Sequence, residues 1–272
     1  MSRDAEISVD GDVVTKVHRA GTDPADLTAR LRIATLLGDG PLLAPLDGVP
    51  RPAPGRRWLT RWPRVATVAR GGSPLPWPEA GALLADLHRV AVGPDWPPVP
   101  AHRAVDRLRG ALRRLPADAP EVIRRAAAAL PAAAWQPAPP SRPAALTHGD
   151  FHLGQLGRSA GGRWQLIDID DLGLGDPVWD LARPAGLWAA GLIPDADWQH
   201  FLAGYRAGGG PALPPAGDPW PVLDPSARAE VVYAAAVGAR RDTDESQREL
   251  LAACARMTGQ LEKNSRPKPP LR

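Results

Sequence analysis

Cysteine and long apolar runs are scarce in this sequence of 272 residues, and each scarcity excludes a class of protein. The one cysteine, Cys254, excludes a disulfide framework and any zinc site that is built from cysteines. The apolar runs are all shorter than the roughly 18 residues of a membrane-spanning helix, and the start of the chain is polar and acidic, unlike a secretory signal. We therefore expect a cytoplasmic protein without membrane contact.

Lysine is scarce too, because only three of the 33 basic residues are lysines. The net charge is +3, and the basic excess lies in residues 1–143, whereas residues 144–272 carry 13 basic against 16 acidic residues. The basic excess is not accompanied by a cluster of basic and aromatic residues, so we expect no binding to nucleic acid. Lys16 is the single lysine among the first 262 residues. It is either a chance survivor in an arginine-rich composition or a compact cation suited to phosphate oxygens.

The sequence pattern predicts a β-rich region followed by a helical one. A hairpin around Asp10-Gly11, a helix over 24–37 and a strand over 57–62 make up the first region, which we place at residues 1–62. We place the helical region at 63–264 and a disordered tail at 265–272. Apolar periodicity predicts the helices of this region at 79–90, 103–115, 120–130, 185–192, 197–206, 226–240 and 244–261.

Residues 145–183 carry most of the acidic and amide groups that point to chemistry. The segment reads ALTHGDFHLGQLGRSAGGRWQLIDIDDLGLGDPVWDLAR. Its centre predicts a hairpin that turns at 159–162, so carboxylates at the two strand ends would converge. Converging oxygen ligands suit Mg²⁺. The alternative is that these aspartates cap turns, which explains any one of them but not the whole set.

Such a cluster fits phosphoryl transfer. That reaction needs a carboxylate at the attacking hydroxyl, metal ligands that bridge the phosphates, and a cation on the phosphate chain. Asp150 is our candidate for the catalytic carboxylate, Gln155 and Asp168 for the metal ligands, and Lys16 for the cation.

The motifs HGDFHLGQ, LIDIDDLGLGDP and VWDLA together resemble the aminoglycoside phosphotransferase and choline kinase family, whose pattern is HGDxHxxN, then IDF or IDW, then GDPxxDLA. The resemblance implies an α+β, two-lobed protein-kinase-like fold with a reduced β-rich N-lobe and a mainly helical C-lobe. It implies ATP or GTP and Mg²⁺ as cofactors, and a nucleotide and a small hydroxylated substrate as partners.

The same resemblance implies roles for individual residues. Asp150 would be the catalytic carboxylate, Asp168 the main metal ligand, and Asp180 a buried aspartate that supports the catalytic loop. Lys16 would hold the phosphates. Backbone groups of the hinge, which would consist of Thr60, Arg61 and Trp62, would meet the adenine.

Three features depart from the family pattern. Gln155 stands where most members have asparagine, although maltokinases have a similar HGDxHLGQ motif. Only fifteen residues precede Lys16, too few for the usual glycine-rich phosphate loop. The helix over 24–37 has no glutamate to hold the lysine, and Asp26 in its first turn is the possible substitute.

We therefore expect an ATP-dependent phosphotransferase, and the alternative is a degenerate relative that binds nucleotide or a partner without turnover. The acceptor stays open between an aminoglycoside and a sugar. Seven acidic residues could face an aminated acceptor or merely begin helices: Asp195, Asp197, Asp218, Asp224, Asp242, Asp244 and Glu245. Trp188, Trp198 and Trp220 could stack on a sugar ring or belong to the core. The pattern does not indicate an oligomeric state.

Overall fold

A small antiparallel sheet precedes a mainly helical region in the computed structural model, which describes residues 5–69, 74–136, 142–240 and 244–259. The strands are β1 (Glu6–Asp10), β2 (Val13–Val17), β3 (Arg51–Ala53), β4 (Arg57–Pro63), β5 (Ala66–Thr67), β6 (Ala145–Thr147), β7 (Leu156–Arg158), β8 (Trp164–Leu166) and β9 (Gly173–Gly175). The helices are α1 (Pro24–Leu36), α2 (Trp77–His88), α3 (Ala104–Arg113), α4 (Glu121–Ala128), α5 (Val178–Ala189), α6 (Asp195–Ala207), α7 (Trp220–Gly238) and α8 (Glu245–Met257). The α+β, two-lobed class expected from the sequence is confirmed.

The first sheet has the strand order β1-β2-β4-β3, with antiparallel pairing throughout. The predicted hairpin is present, and Gly11 at its turn has a φ of 54°, a region that favours glycine. Lys16 on β2 lies opposite Thr60 on β4. Side chains of β1 are exposed along the whole strand. The sheet therefore presents Lys16 from its second strand without enclosing a core of its own.

Helix α1 attaches this sheet to the helical region. The Asp23 side chain caps its first turn by accepting hydrogen bonds from the N–H groups of Ala25 and Asp26. Its buried face, which includes Leu31 and Ile33, belongs to the same hydrophobic cluster as residues of α2, α5, α6 and α7. The two regions therefore share one core.

Close contact between α2 and α6 organises the helical region. A Cβ atom on Gly81 would lie 2.2 Å from the carbonyl oxygen of Phe201, and one on Gly204 would lie 2.1 Å from that of Pro78. Only glycine permits two helix backbones to approach this closely. The crossing positions His88, near the end of α2, for the contact described below.

Two helices, α5 and α7, begin a full turn or more before the residue that the sequence pattern predicted. We expected starts at 185 and 226, directly after Pro184 and Pro225, but α5 begins at Val178 and α7 at Trp220. Both prolines lie inside their helices. A proline removes one backbone hydrogen bond, and here the buried packing of both helices outweighs that local loss. The predicted starts were wrong because local propensity was given too much weight.

The hairpin predicted within residues 145–183 is confirmed as β7 and β8, which β5 extends to a three-stranded sheet. Ser159 and Gly162 form its turn, and the Gly162 N–H donates to the Ser159 carbonyl. Strands β6 and β9 pair beside it and bring together the HGD and GDP segments. The tail over 265–272 and the end of the last predicted helix lie outside the described residues. The division at residue 62 stays a prediction. No helix in the described ranges is long and apolar enough to cross a membrane.

Candidate active site

The loop that carries Asp150 follows β6 and is pressed against the segment after β8. Gly149 has a φ of +84°, and a Cβ atom on it would lie 2.2 Å from the carbonyl oxygen of Asp171. Both the backbone conformation and the available space therefore require glycine here. The result is a fixed bend that places Asp150 beside the segment with Asp168, Asp170 and Asp171.

The Asp180 side chain supports this bend through hydrogen bonds to its backbone. Its Oδ2 accepts hydrogen bonds from the His148 N–H at 2.6 Å and from His88 Nε2 at 3.0 Å, and its Oδ1 accepts one from the Gly149 N–H at 2.8 Å. The side chain is 1% exposed. Burial raises the pKa of Asp180, but His88 and the other nearby histidines lower it to about 2. These contacts confirm the supporting role that the resemblance implied.

Gln155 and Asp168 lie at the same end of the β7–β8 hairpin. The Ile167 N–H donates to the Gln155 carbonyl at 2.9 Å, which places Asp168 next to Gln155 across the two strands. Asp168 has a φ of 63°, an uncommon conformation for a residue other than glycine. Strain of this kind is frequent at functional sites. The backbones of the two candidate metal ligands therefore lie next to one another at the hairpin end.

Lys16 reaches this point from the first sheet. Its Nζ lies 2.6 Å from Asp168 Oδ1 and 2.8 Å from Asp170 Oδ2. Burial lowers the pKa of Lys16, but the two carboxylates outweigh burial and raise it. His18 Nδ1 lies 3.4 Å from Asp170 Oδ1. The sequence pattern assigns no role to Asp170 or His18, although His18 directly follows β2 and its position two residues after Lys16 places both side chains on one face.

Helix α1 contacts the segment over residues 168–172, the metal-ligand segment, through an arginine. Arg30 is buried, and its Nε donates to the Leu172 carbonyl at 2.9 Å. In the described part of the chain, Asp26 pairs with Arg30 at 4.0 Å rather than with Lys16. Asp26 therefore does not take the place of the family's glutamate, because it lies in the first turn of α1, where its side chain is 45% exposed.

The three residues predicted to be the hinge lie within strand β4. The Thr60 hydroxyl is within 2.9 Å of His18 Nε2 and accepts a hydrogen bond from Trp62 Nε1, and the Arg61 carbonyl accepts one from the Leu46 N–H. Thr60 is therefore linked through His18 to Asp170, and so to the metal-ligand segment. Contact of Thr60, Arg61 and Trp62 with adenine stays a prediction.

Two arginines hold Asp150. Arg107 Nη1 from α3 lies 2.8 Å from Asp150 Oδ1, and Arg183 Nη1 from α5 lies 3.2 Å from the same oxygen. Burial raises the pKa of Asp150, and the two guanidinium groups bring it below the usual value. The carboxylate is therefore ionised at neutral pH and able to take a proton. Sequence reasoning missed both arginines; Arg183 follows the DLA motif directly, but nothing local marks Arg107.

The acidic residues offered as an acceptor surface have local partners in most cases. Asp218 and Asp244 accept hydrogen bonds from backbone N–H groups at the starts of α7 and α8, and Asp224 pairs with Arg228. Asp195 accepts a hydrogen bond from Trp188 Nε1 at 2.7 Å. Asp242 lies outside the described residues. These contacts favour the interpretation that the acidic residues serve helix ends.

The three tryptophans stack on one another. The ring of Trp188 lies 5.5 Å from that of Trp198 and 5.5 Å from that of Trp220, with interplanar angles of 18° and 23°. Trp198 is a member of the main core cluster, and the other two pack against it. The arrangement favours the core interpretation over stacking on a sugar.

Comparison with known proteins agrees with this geometry. Residues 8–220 match the profile of the APH family, described as a phosphotransferase enzyme family. The chain belongs to this family. Membership makes the protein a phosphotransferase of the kinase type that acts on small molecules. No curated protein gave a significant match.

Solved structures of this phosphotransferase family share the fold. A choline/ethanolamine kinase family protein from Mesorhizobium loti is 21% identical, with a TM-score of 0.54, and the match covers 97% of this chain and 87% of that one. Choline kinase LicA from Streptococcus pneumoniae is 12% identical, with a TM-score of 0.62 and coverage of 96% and 91%. The amicoumacin kinase hAmiN, in complex with AMP-PNP, Ca²⁺ and Ami, is 16% identical, with a TM-score of 0.63 and coverage of 95% and 89%.

Proposed function

We propose that this phosphotransferase moves the γ-phosphoryl group of ATP, or GTP, to a hydroxyl of a small molecule with the help of Mg²⁺. The observation that carries the proposal is the convergence of Lys16, Gln155 and Asp168 beside the loop of Asp150. Lys16 pairs with Asp168, whose backbone lies next to that of Gln155. Arg107 contacts both Asp150 and Asp171 and so joins the Asp150 loop to the same segment. The chemistry of these groups is that of phosphoryl transfer. The complex of amicoumacin kinase with AMP-PNP and Ca²⁺ supports a nucleotide and a divalent cation.

The residues at the hairpin end fit a magnesium ion. Asp168 and Asp170 provide carboxylate oxygens, and Gln155 provides an amide oxygen, the ligand type that Mg²⁺ prefers. The two carboxylates already attract a cation, because the Lys16 ammonium lies between them. Among the described residues no group of three or more acidic, histidine or cysteine side chains forms a closed metal site. Mg²⁺ takes one or two protein carboxylates and completes its shell with phosphates and water. Bound there, it would neutralise charge on the phosphates.

Each residue then has a defined part in the transfer. Asp150 orients the acceptor hydroxyl and accepts its proton as the acceptor oxygen forms a bond to the γ-phosphorus. The bond between the γ-phosphorus and the bridging oxygen breaks, and the nucleoside diphosphate leaves with that electron pair. Lys16 binds the phosphate chain. Most of the rate increase would come from positioning and charge neutralisation.

Thermal unfolding in the presence of ATP, Mg²⁺ or both tests the nucleotide site. A ligand that binds only the folded state raises Tm, by the equivalent of about 2.7 kcal/mol at one hundred times its Kd. We expect the pair to raise Tm of the wild type beyond either ligand alone, and Asp168→Ala to abolish this extra increase. Asp86→Ala, which removes an exposed carboxylate on α2, is the matched control and should behave like the wild type. A wild type that is unmoved by both Mg-ATP and Mg-GTP contradicts the proposal.

Asp150→Asn separates turnover from binding. Loss of the proton acceptor should lower kcat by roughly 10²–10⁴-fold, while the Tm increase with Mg-ATP is retained. Nucleoside diphosphate release, measured with and without candidate acceptors, reports turnover. Asp106→Asn, on the exposed side of α3, should leave the rate unchanged. Full activity of Asp150→Asn would remove Asp150 from its role, and Mg-ATP binding without any Asp150-dependent turnover would support the degenerate alternative.

A further inference from the structure

A cavity of about 260 Å³ lies beside the catalytic loop, between α2, the loop and α5. Its walls are mainly apolar, with contributions from Trp77, Leu153, Pro184, Leu187 and Ile193. Arg183, which also contacts Asp150, and His152 provide its polar side chains. The cavity is slightly smaller than the roughly 300–1,000 Å³ of sites for drug-sized ligands. It therefore suits a small acceptor better than a multi-ring aminoglycoside.

Both polar side chains of this cavity are hydrogen-bond donors. Arg183 uses Nη1 for Asp150, and the described residues contain no further hydrogen-bond or ion-pair partner for its guanidinium group. His152 accepts a hydrogen bond from the Gly154 N–H at its Nδ1, so the proton of the neutral ring is on Nε2. A ligand in this cavity therefore meets N–H groups from both.

The other arginine at Asp150 is less available to a ligand. Arg107 contacts both Asp150 and Asp171 and lies 5.6 Å from the centre of the Tyr233 ring. It is not among the residues that line the cavity. Arg107 thus positions the carboxylate, whereas Arg183 joins the carboxylate to the cavity.

We propose that this cavity binds the acceptor, and that the acceptor is a small hydroxylated carboxylic acid whose carboxylate pairs with Arg183. This rests on the proposed function and assigns its substrate class. Asp150 does not line the cavity, but its Oδ1 lies 3.2 Å from Arg183 Nη1. An acceptor whose carboxylate pairs with the other nitrogen atoms of this guanidinium group would therefore extend its hydroxyl past Nη1 to Asp150. The acceptor O–H gives its proton to Asp150, its oxygen bonds the γ-phosphorus, and the nucleoside diphosphate leaves.

The charge of the cavity decides against a cationic acceptor. No acidic side chain is among the described residues that line it, so an ammonium group would lie next to the Arg183 guanidinium group with no carboxylate on the cavity wall. Like charges placed side by side are unfavourable. A carboxylate in the same place gains charge-assisted hydrogen bonds, which are stronger than neutral ones.

Three probes of one shape and different charge test the proposal: β-hydroxyhexanoate, its methyl ester, and the amino alcohol in which an aminomethyl group replaces the carboxylate. Binding of each to the nucleotide-free protein is measured by calorimetry, and turnover is measured as nucleoside diphosphate release with Mg-ATP. We expect the wild type to bind the hydroxy acid at least about tenfold more tightly than the ester or the amine. Arg183→Gln should remove that preference and Arg183→Lys should keep part of it. Arg89→Gln, at an exposed arginine directly after α2, should not change this preference.

The outcomes separate this inference from the proposed function. A wild type that binds the amine or the ester as tightly as the acid overturns the inference, whether or not Mg-ATP binds. An equal loss of turnover for every acceptor in Arg183→Gln, with unchanged binding, assigns the guanidinium group to the transferred phosphoryl group and also overturns it. An absence of Mg-ATP binding contradicts the proposed function, and acid binding that depends on Arg183 would still identify the cavity as an anion site.

Discussion

The first sheet and the helical region differ sharply in how much of their surface is buried. Every side chain of β1 is exposed, and Thr60 is the one buried side chain of β4. Helix α7 alone buries nine side chains. Since the hydrophobic effect scales with the apolar area removed from water, most of the free energy of folding comes from the helical region. The sheet is attached through α1, through a few ion pairs and through Trp58 and Trp62 of β4, which pack partly buried against the main core cluster.

The two sides of the candidate site show the same contrast. Asp180 in the helical region is fully buried and accepts three hydrogen bonds at fixed distances. Asp168, which meets the first sheet, is 28% exposed and pairs with the flexible side chain of Lys16. A buried, fully satisfied network is rigid, whereas a partly exposed ion pair exchanges readily. The catalytic loop is thus held firmly, and the nucleotide side is free to exchange partners.

Asp180→Ala should produce the largest loss of stability. It leaves two backbone N–H groups and His88 without their acceptor in a buried place, and removal of one partner from a buried ionic network costs about 3–5 kcal/mol. Urea unfolding measures the change. Asp86→Ala, the exposed aspartate of the same size, should change the free energy of unfolding by less than about 1 kcal/mol. A similar change in the free energy of unfolding for both variants would contradict the contrast between a rigid catalytic loop and an exchangeable nucleotide side of the site.

Leu84→Ala should cause the next largest loss of stability, a decrease of about 2–5 kcal/mol in the free energy of unfolding. Leu84 is fully buried in the shared core, and its truncation leaves a cavity. The matched variant in the sheet is Val9→Ala, at a side chain that is 54% exposed. It should change the free energy of unfolding by no more than about 0.5 kcal/mol. A large effect of Val9→Ala would show that the sheet contributes more to folding than its burial indicates.

Acid should lower the free energy of unfolding by about 2 kcal/mol through protonation of Asp180. Its pKa is about 2 in the folded protein against 3.8 ordinarily, so the unfolded chain binds its proton first as pH falls. The stabilisation is complete well above pH 4 and is lost progressively as pH falls from about 4 to about 2. The free energy of unfolding, measured between these values, should fall less steeply in Asp180→Asn, which cannot titrate there. Parallel curves would show that other carboxyl groups determine acid stability.

Much of this protein could be predicted from its sequence where the information is local. The hairpin between Leu156 and Leu166 and the motif residues follow from spacing and turn chemistry within a few dozen residues. The early starts of α5 and α7 could not be predicted, because packing of distant helices outweighs the local effect of Pro184 and Pro225. The roles proposed for Thr60, Arg61 and Trp62 stay predictions.

The sequence by itself determined the family, the fold class and the candidate chemical groups, because motif spacing and side-chain chemistry are properties of the chain. Only the tertiary structure decided which charges meet. It paired Lys16 with Asp170 as well as Asp168, and it brought Arg107 and Arg183 to one oxygen of Asp150 from two different helices. Such pairs depend on how helices and strands cross in space, and the chain has many arginines that are locally indistinguishable. The polarity of the acceptor cavity, and with it the class of substrate that we propose, follows from these crossings.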